Sequence, residues 1–173
     1  MPDIQISERL ISFITFLPMF ILSITFHEFA HAFVANKMGD PTAKNQGRLS
    51  FNPIKHIDLI GTLIMPIASF ATGIALIGWA KSVPVDRKNF KNVFRDDAYV
   101  SAAGPFANLL LALIFYLIFY FTLNFHLTEN QFLINIFWYG VFFNIFLFAF
   151  NLLPIPPLDG SHIIFDLWPN KLT

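Results

Sequence analysis

The residues best suited to chemistry lie close together near the N-terminus, as His27-Glu28-Phe29-Ala30-His31. On a helix, positions i and i+4 share a face. His27 and His31 can therefore offer two imidazole nitrogens to one zinc ion at roughly 2.0–2.1 Å. Glu28 lies about 100° around the same helix. From there it can act as general base toward the water that such a site activates, the arrangement of the HExxH motif. The plainer reading is a set of polar groups satisfied between helices. It is disfavoured because the motif is complete and sits at the end of an apolar stretch, where a glutamate is costly to keep.

A catalytic zinc needs a third protein ligand. The other histidines are His56, His126 and His162, and the acidic residues near apolar stretches are Asp58, Asp96, Asp97, Asp159 and Asp166. Asp159 is the best placed. It follows Asn151-Leu152-Leu153-Pro154-Ile155-Pro156-Pro157-Leu158 and precedes Gly160. Three prolines end a helix and stiffen the backbone, and Asp-Gly favours a turn that can hold the carboxylate inward. Standing alone, the segment would read as an ordinary helix-ending loop.

The elements that must carry these groups are read from where charge is missing. The 173 residues are 55% hydrophobic and 13% charged, with 23 Phe, no Cys and a formal net charge of zero. Mean hydropathy is +0.60. Soluble domains carry about 25% charged residues, so an ordinary soluble domain is disfavoured. A disordered chain and a nucleic-acid binder are disfavoured too, since the latter needs a basic surplus. Without cysteine there is no disulfide, thiolate ligand or thiol nucleophile. No Asp, Glu, Lys or Arg occurs in 10–26, 59–80, 98–128 or 130–158. Each stretch approaches or exceeds the roughly 20 residues needed to cross a bilayer.

We therefore expect an all-α polytopic membrane protein of three to four transmembrane helices, forming one domain over 1–173 with a zinc site between helices. Spans are expected at about 10–36, 99–123 and 132–153. The first reads as a retained span and not as a cleaved signal, because Asp3 and Glu8 precede a lone Arg9. Basic residues cluster in two loops, with Lys37, Lys44, Arg48 and Lys55 in one and Lys81, Arg87, Lys88, Lys91 and Arg95 in the other. Both loops are expected on the cytoplasmic side. The stretch 59–80 between them is broken by Gly61, Pro66, Gly73 and Gly78. It then re-enters from and returns to that side, its irregular backbone buried in protein; a full span is the alternative. With the N-terminus outside, the inner ends of the first and last spans bring His27, His31 and Asp159 to one side of the membrane.

These residues resemble the site-2 protease family of intramembrane zinc metalloproteases, in particular its small prokaryotic members without a PDZ domain. The resemblance covers most of the chain. It rests on HEFAH (27–31), GDPTAKNQGRLSFNPIKHIDLIGT (39–62), GWAKSVPVD (78–86), SAAGPFANLLLA (101–112) and NLLPIPPLDGSHI (151–163). It implies one Zn2+ per chain on His27, His31 and Asp159, with Glu28 catalytic. It also implies that Asn108 helps to bind the reacting carbonyl. Asn108 lies about ten residues into its span, at a depth similar to His27, where an uncharged donor can stabilise an oxyanion; a hydrogen bond between helices is the competing reading. Gly104 and Pro105 suit close helix approach and a local break. Ser82 stands where members commonly have proline, and small members usually carry a further segment beyond the LDG turn, where this chain ends at Thr173.

The expected function is hydrolysis of peptide bonds in a membrane-spanning protein or peptide. The expected location is the cell membrane, with the active site near the cytoplasmic side and no nucleic-acid partner. Oligomeric state is not readable. Three competing readings fit the sequence less well. A zinc transporter would carry ionisable groups on several spans, usually in related halves, but the second and third spans lack carboxylates. A prenyl-protein protease would use a downstream Glu, and Glu129 falls in the expected external loop. A catalytically dead scaffold fits poorly with an intact Glu28.

Overall fold

The computed structural model describes residues 2–74 and 78–168. Six α-helices occur among them: α1 (Pro2–Met38), α2 (Thr42–Asn45), α3 (Met65–Thr72), α4 (Val93–Asn124), α5 (Gln131–Asn151) and α6 (Asp159–Leu167). A π-helical turn, Leu59–Ile64, leads into α3. No strand occurs among the described residues.

Three helical segments are long and apolar enough to cross a membrane: Phe13–Met38, Val93–Asn124 and Gln131–Asn151. Their outward faces are greasy. Leu110 and Phe142 are 59% and 64% exposed, which is stable where the surrounding solvent is hydrocarbon. Inside, Leu111 and Phe115 of α4 meet Val141 of α5, with Met19, Leu22 and Phe26 of α1 packed against them. A β-carbon on Gly140 would collide with the Phe115 ring, so this glycine lets α5 lie close to α4. Helix α4 is the hub, packing against α1, α5 and α6.

The helix ends differ from the sequence expectation in instructive ways. Helix α4 begins at Val93 and not near Tyr99. Its first turn contains Asp96, and Asp97 follows, both buried. Asp96 accepts from Asn92 N at 2.9 Å and from Arg95 Nε at 2.9 Å. Paired charges can continue a helix where an apolar count stops. Helix α5 ends at Asn151 and not Leu153. Asp159 does not sit in an Asp-Gly turn; it opens α6. A carboxylate at a helix start is favourable, because that end carries partial positive charge.

The stretch 59–80 is divided, residues 75–77 lying outside the described ones. Leu59–Thr72 is helical but shorter than a span. At about 1.5 Å per residue it falls short of the roughly 30 Å of hydrocarbon. It ends on Gly73, whose φ of +72° suits glycine at a helix C-terminus. Beyond Gly78 the chain is extended and has doubled back, with Trp79 N donating to Gly61 O at 3.2 Å. Glycine is required at this crossing, since a β-carbon on Gly61 would meet the Trp79 ring and one on Gly78 would meet Gly61 O.

Candidate metal centre

His27 and His31 lie on the buried face of α1, at 9% and 8% exposure. Their Nε2 atoms are 3.0 Å apart. Asp159, from the start of α6, closes the triangle. Its Oδ2 is 3.2 Å from His27 Nε2 and its Oδ1 is 3.4 Å from His31 Nε2. The structure thus brings together the three residues expected to ligate.

The other nitrogen of each ring decides what this triangle can hold. His31 Nδ1 is 2.7 Å from Val100 O, and His27 Nδ1 is 2.6 Å from Asn108 Oδ1. Both partners are acceptors, so both Nδ1 atoms carry the proton and both neutral rings turn an Nε2 lone pair inward. Two lone pairs and a carboxylate then converge in a buried space. Asp159 Oδ2 is buried there without a hydrogen-bond partner among the described residues. Such a set repels itself unless a cation sits within it. Two imidazoles and a carboxylate suit zinc, and the donor set fits that ion.

Space for the site comes from two glycines. A β-carbon on Gly104 of α4 would collide with His31 Nε2 and the His27 ring. One on Gly160 would collide with the carbonyls of Leu152 and Leu153, so glycine after Asp159 lets the start of α6 tuck under the end of α5.

Glu28 is 7% exposed, and its Oε2 accepts from Val83 N at 2.8 Å. Val83 belongs to the extended stretch 78–86, which is tied down at alternate residues. Thr62 Oγ1 donates to Trp79 O at 2.8 Å, Lys81 N donates to His56 O at 2.9 Å, and Arg48 Nη2 donates to Lys81 O. Asp86 N donates to Asp40 Oδ2 at 2.8 Å. The intervening Ala80 and Ser82 line a cavity of about 1510 Å³ that holds Glu28, both histidines and Asp159. The cavity runs along α1 from His31 back to Phe13, roughly 27 Å of helix rise. It is walled there by Phe16, Phe20, Phe143 and Phe146.

The remaining candidates fall elsewhere. His56 is fully buried, its Nε2 held by Ser50 O at 2.7 Å, and burial pushes it below the ordinary histidine range. His126 lies in the turn after α4. Asp97, His162 and Asp166 form a second cluster of possible ligands. Arg87 enters it, pairing with Asp166 and lying 3.4 Å from Asp97 Oδ2. A guanidinium therefore already supplies the countercharge.

Asn108 makes the hydrogen bonds between helices of the competing reading. Asn108 is 0% exposed and is not among the residues lining the cavity. Its Nδ2 donates to Ser23 O at 3.3 Å and to Asn144 Oδ1 at 2.9 Å. No amide hydrogen is left for a substrate carbonyl. An amide that does line the cavity is that of Asn151. One of its hydrogens is donated to Leu147 O at 3.0 Å, so the second hydrogen is available. The sequence offered a signal for Asn151, its place at the end of the last span just before the proline run, but that position read equally well as a helix end.

Comparison with known proteins agrees with this geometry. The profile of peptidase family M50 matches residues 15–172. Three relatives carry the name "Putative zinc metalloprotease": YwhC of Bacillus subtilis, Rip2 of Mycolicibacterium smegmatis and MJ0611 of Methanocaldococcus jannaschii. YwhC is 46% identical over 153 residues, covering 86% of this chain and 67% of the relative. Rip2 is 35% identical over 153 residues, covering 86% and 55%. MJ0611 is 30% identical over 174 residues, covering 94% and 81%. The chain thus spans little more than half of Rip2. No solved structure gives a significant match. With the profile covering nearly its full length, the chain belongs to peptidase family M50, the site-2 protease family of zinc metalloproteases.

Proposed function

We propose that the chain is an intramembrane zinc endopeptidase, holding one Zn2+ on His27, His31 and Asp159 and cleaving membrane-embedded protein or peptide substrates. The observation that carries this reading is the convergence of two Nε2 lone pairs and one carboxylate, with both Nδ1 protons fixed by acceptors. Zinc, when bound, polarises the scissile carbonyl and lowers the pKa of the attacking water. Glu28 takes the proton from that water and passes it to the leaving amine. Val83 N–H, donating to Glu28 Oε2, steadies the carboxylate and leaves Oε1 to accept the proton. Asn151 supplies the amide hydrogen to the oxyanion.

The aromatic cavity along α1 suits an apolar substrate segment, while the edge at Ala80 and Ser82 suits a locally unwound one, which can add to it as a strand. Stretch 59–86 acts as a re-entrant element. Its basic flanks and those of the 37–55 loop face the cytoplasm, which puts the site near that surface.

The test combines metal analysis of detergent-purified protein with cleavage of a membrane-embedded substrate. Glu28→Gln should abolish cleavage and keep zinc. Cleavage by that variant in a protease-free preparation would remove the catalytic assignment.

A further inference from the structure

We propose that Asn144 is a positioning residue for the metal centre, acting through Asn108 to fix His27 in the tautomer whose Nε2 can ligate. The inference rests on the metal-centre reading above and adds to it a residue of α5 that touches none of the reacting groups.

An asparagine side chain can present either its oxygen or its NH2 to a neighbour. If Asn108 presents oxygen to His27 Nδ1, that nitrogen holds the proton and Nε2 has a free lone pair. If it presents NH2, Nδ1 becomes the acceptor, the proton moves to Nε2, and the ring can no longer bind a metal inward. The choice is made at the far end of the Asn108 amide. There Nδ2 faces two oxygens, Ser23 O at 3.3 Å and Asn144 Oδ1 at 2.9 Å. Turning Asn108 over would set its oxygen against both.

Asn144 has the same choice, and a backbone group removes it. Its Nδ2 donates to Gly140 O at 2.8 Å, within the same helix. A carbonyl only accepts, so Asn144 must aim its oxygen at Asn108. The order therefore runs from a main-chain carbonyl of α5, through two amides, to an imidazole of α1. Asn108 and Asn144 are each 0% exposed, so water cannot substitute for either partner, and low polarity raises the penalty for a mismatched pair. The core between α4 and α5 beside it, around Leu111, Phe115 and Val141, is apolar. His31 needs no such relay, since Val100 O holds its Nδ1 directly.

The experiment uses the purified chain in detergent micelles. Metal-free protein with 15N-labelled histidine reports the tautomer by NMR, the His27 signals being assigned with His27→Gln. Zinc affinity is read by competition with a chelator. In the parent, metal-free His27 should carry its proton on Nδ1; a parent in which Nε2 carries it overturns the proposal without any variant. Asn144→Leu removes the acceptor and keeps the number and branching of the side-chain heavy atoms. It should leave His27 a mixture of tautomers and weaken zinc about 10–100-fold, the range typical for partners of metal ligands. His31 should keep its tautomer. Asn144→Asp is the conservative rescue. Buried and protonated, it donates to Gly140 O and accepts from Asn108, so tautomer and affinity should match the parent within about threefold. A folded Leu variant with parental tautomer and affinity, or an Asp variant as impaired as the Leu variant, refutes the relay. Failure of the metal-centre reading looks different: the parent itself would bind no stoichiometric zinc, or Asp159→Ala would bind it equally well.

Discussion

Substitution of Gly104 by alanine tests the metal centre from the one side that contributes no ligand. A β-carbon there would lie 2.6 Å from His27 Nε2, 0.8 Å short of the 3.4 Å of ordinary contact, and closer still to His31 Nε2. The neighbours are poor at yielding. Each imidazole is pinned at Nδ1, one by Val100 O and one by Asn108 Oδ1. Either α4 retreats from α1, or the rings swing by about the missing distance. Zinc–nitrogen bonds tolerate about ±0.2 Å around 2.0–2.1 Å, so a swing of that size is several times the tolerance. Overpacking of this kind costs about 1–3 kcal/mol. If the strain falls on the bound state, zinc weakens by roughly 5- to 150-fold, since 1.4 kcal/mol is a factor of ten. The assay is chelator competition on Gly104→Ala and on the parent, with helix content by circular dichroism as a control for folding. Gly47→Ala is the matched control, because its β-carbon meets nothing within 4 Å and only the φ of +66° is strained. It should keep parental affinity. A folded Gly104→Ala protein that binds zinc like the parent would refute the packing argument and the closeness of α4 to the ligands.

Other outcomes follow from the same geometry. Asp159→Ala should strip zinc from purified protein, measured by atomic absorption, while the fold persists. Asn151→Leu should lower kcat by about 100-fold or more with zinc retained, whereas Asn108→Leu should lower zinc affinity. Asp40 accepts from Thr42 N, Thr42 Oγ1, Asp86 N and Asn89 Nδ2 at 2.5–3.0 Å. Burial works to raise its carboxyl, but those hydrogen bonds outweigh it and lower it. Its stabilisation is thus present above about pH 4, the unfolded value, and is lost as pH falls through the lower folded one. Asp166 has the opposite sign. Burial and then Asp97 push its carboxyl up to about 6, against Arg87. Its protonated form favours the fold below about pH 4, and that contribution fades as pH rises through about 6. Thermal unfolding in detergent between pH 4 and 7 should show this slope in the parent and not in Asp166→Asn.

Much of the site was legible in order along the chain. HExxH spacing placed two imidazoles on one helix face whatever surrounds them, because that relation is local. The charge-free stretches marked the three long helices, because hydrocarbon admits little else. The proline run before Asp159 singled it out, and the layout expected from loop charge agreed with that choice. Helix ends were less legible. Counting apolar residues missed the start of α4, where Asp96 is held by the nearby Asn92 and Arg95 and Asp97 lies by Arg87.

Sequence by itself determined the HExxH spacing and three helices long and apolar enough to cross a membrane, all properties of periodicity and composition. Tertiary structure alone decided what each amide meets. Asn108 and Asn151 are the same residue type, and an amide's role depends on what lies at both of its ends. Asn108 meets an imidazole and two acceptors and is fully committed, while Asn151 borders the cavity with a hydrogen to give. The same holds for Val83, whose backbone N–H reaches Glu28 from 55 residues away. Main-chain donors are alike in every sequence, so only the folded path of stretch 78–86 could bring that one to the carboxylate.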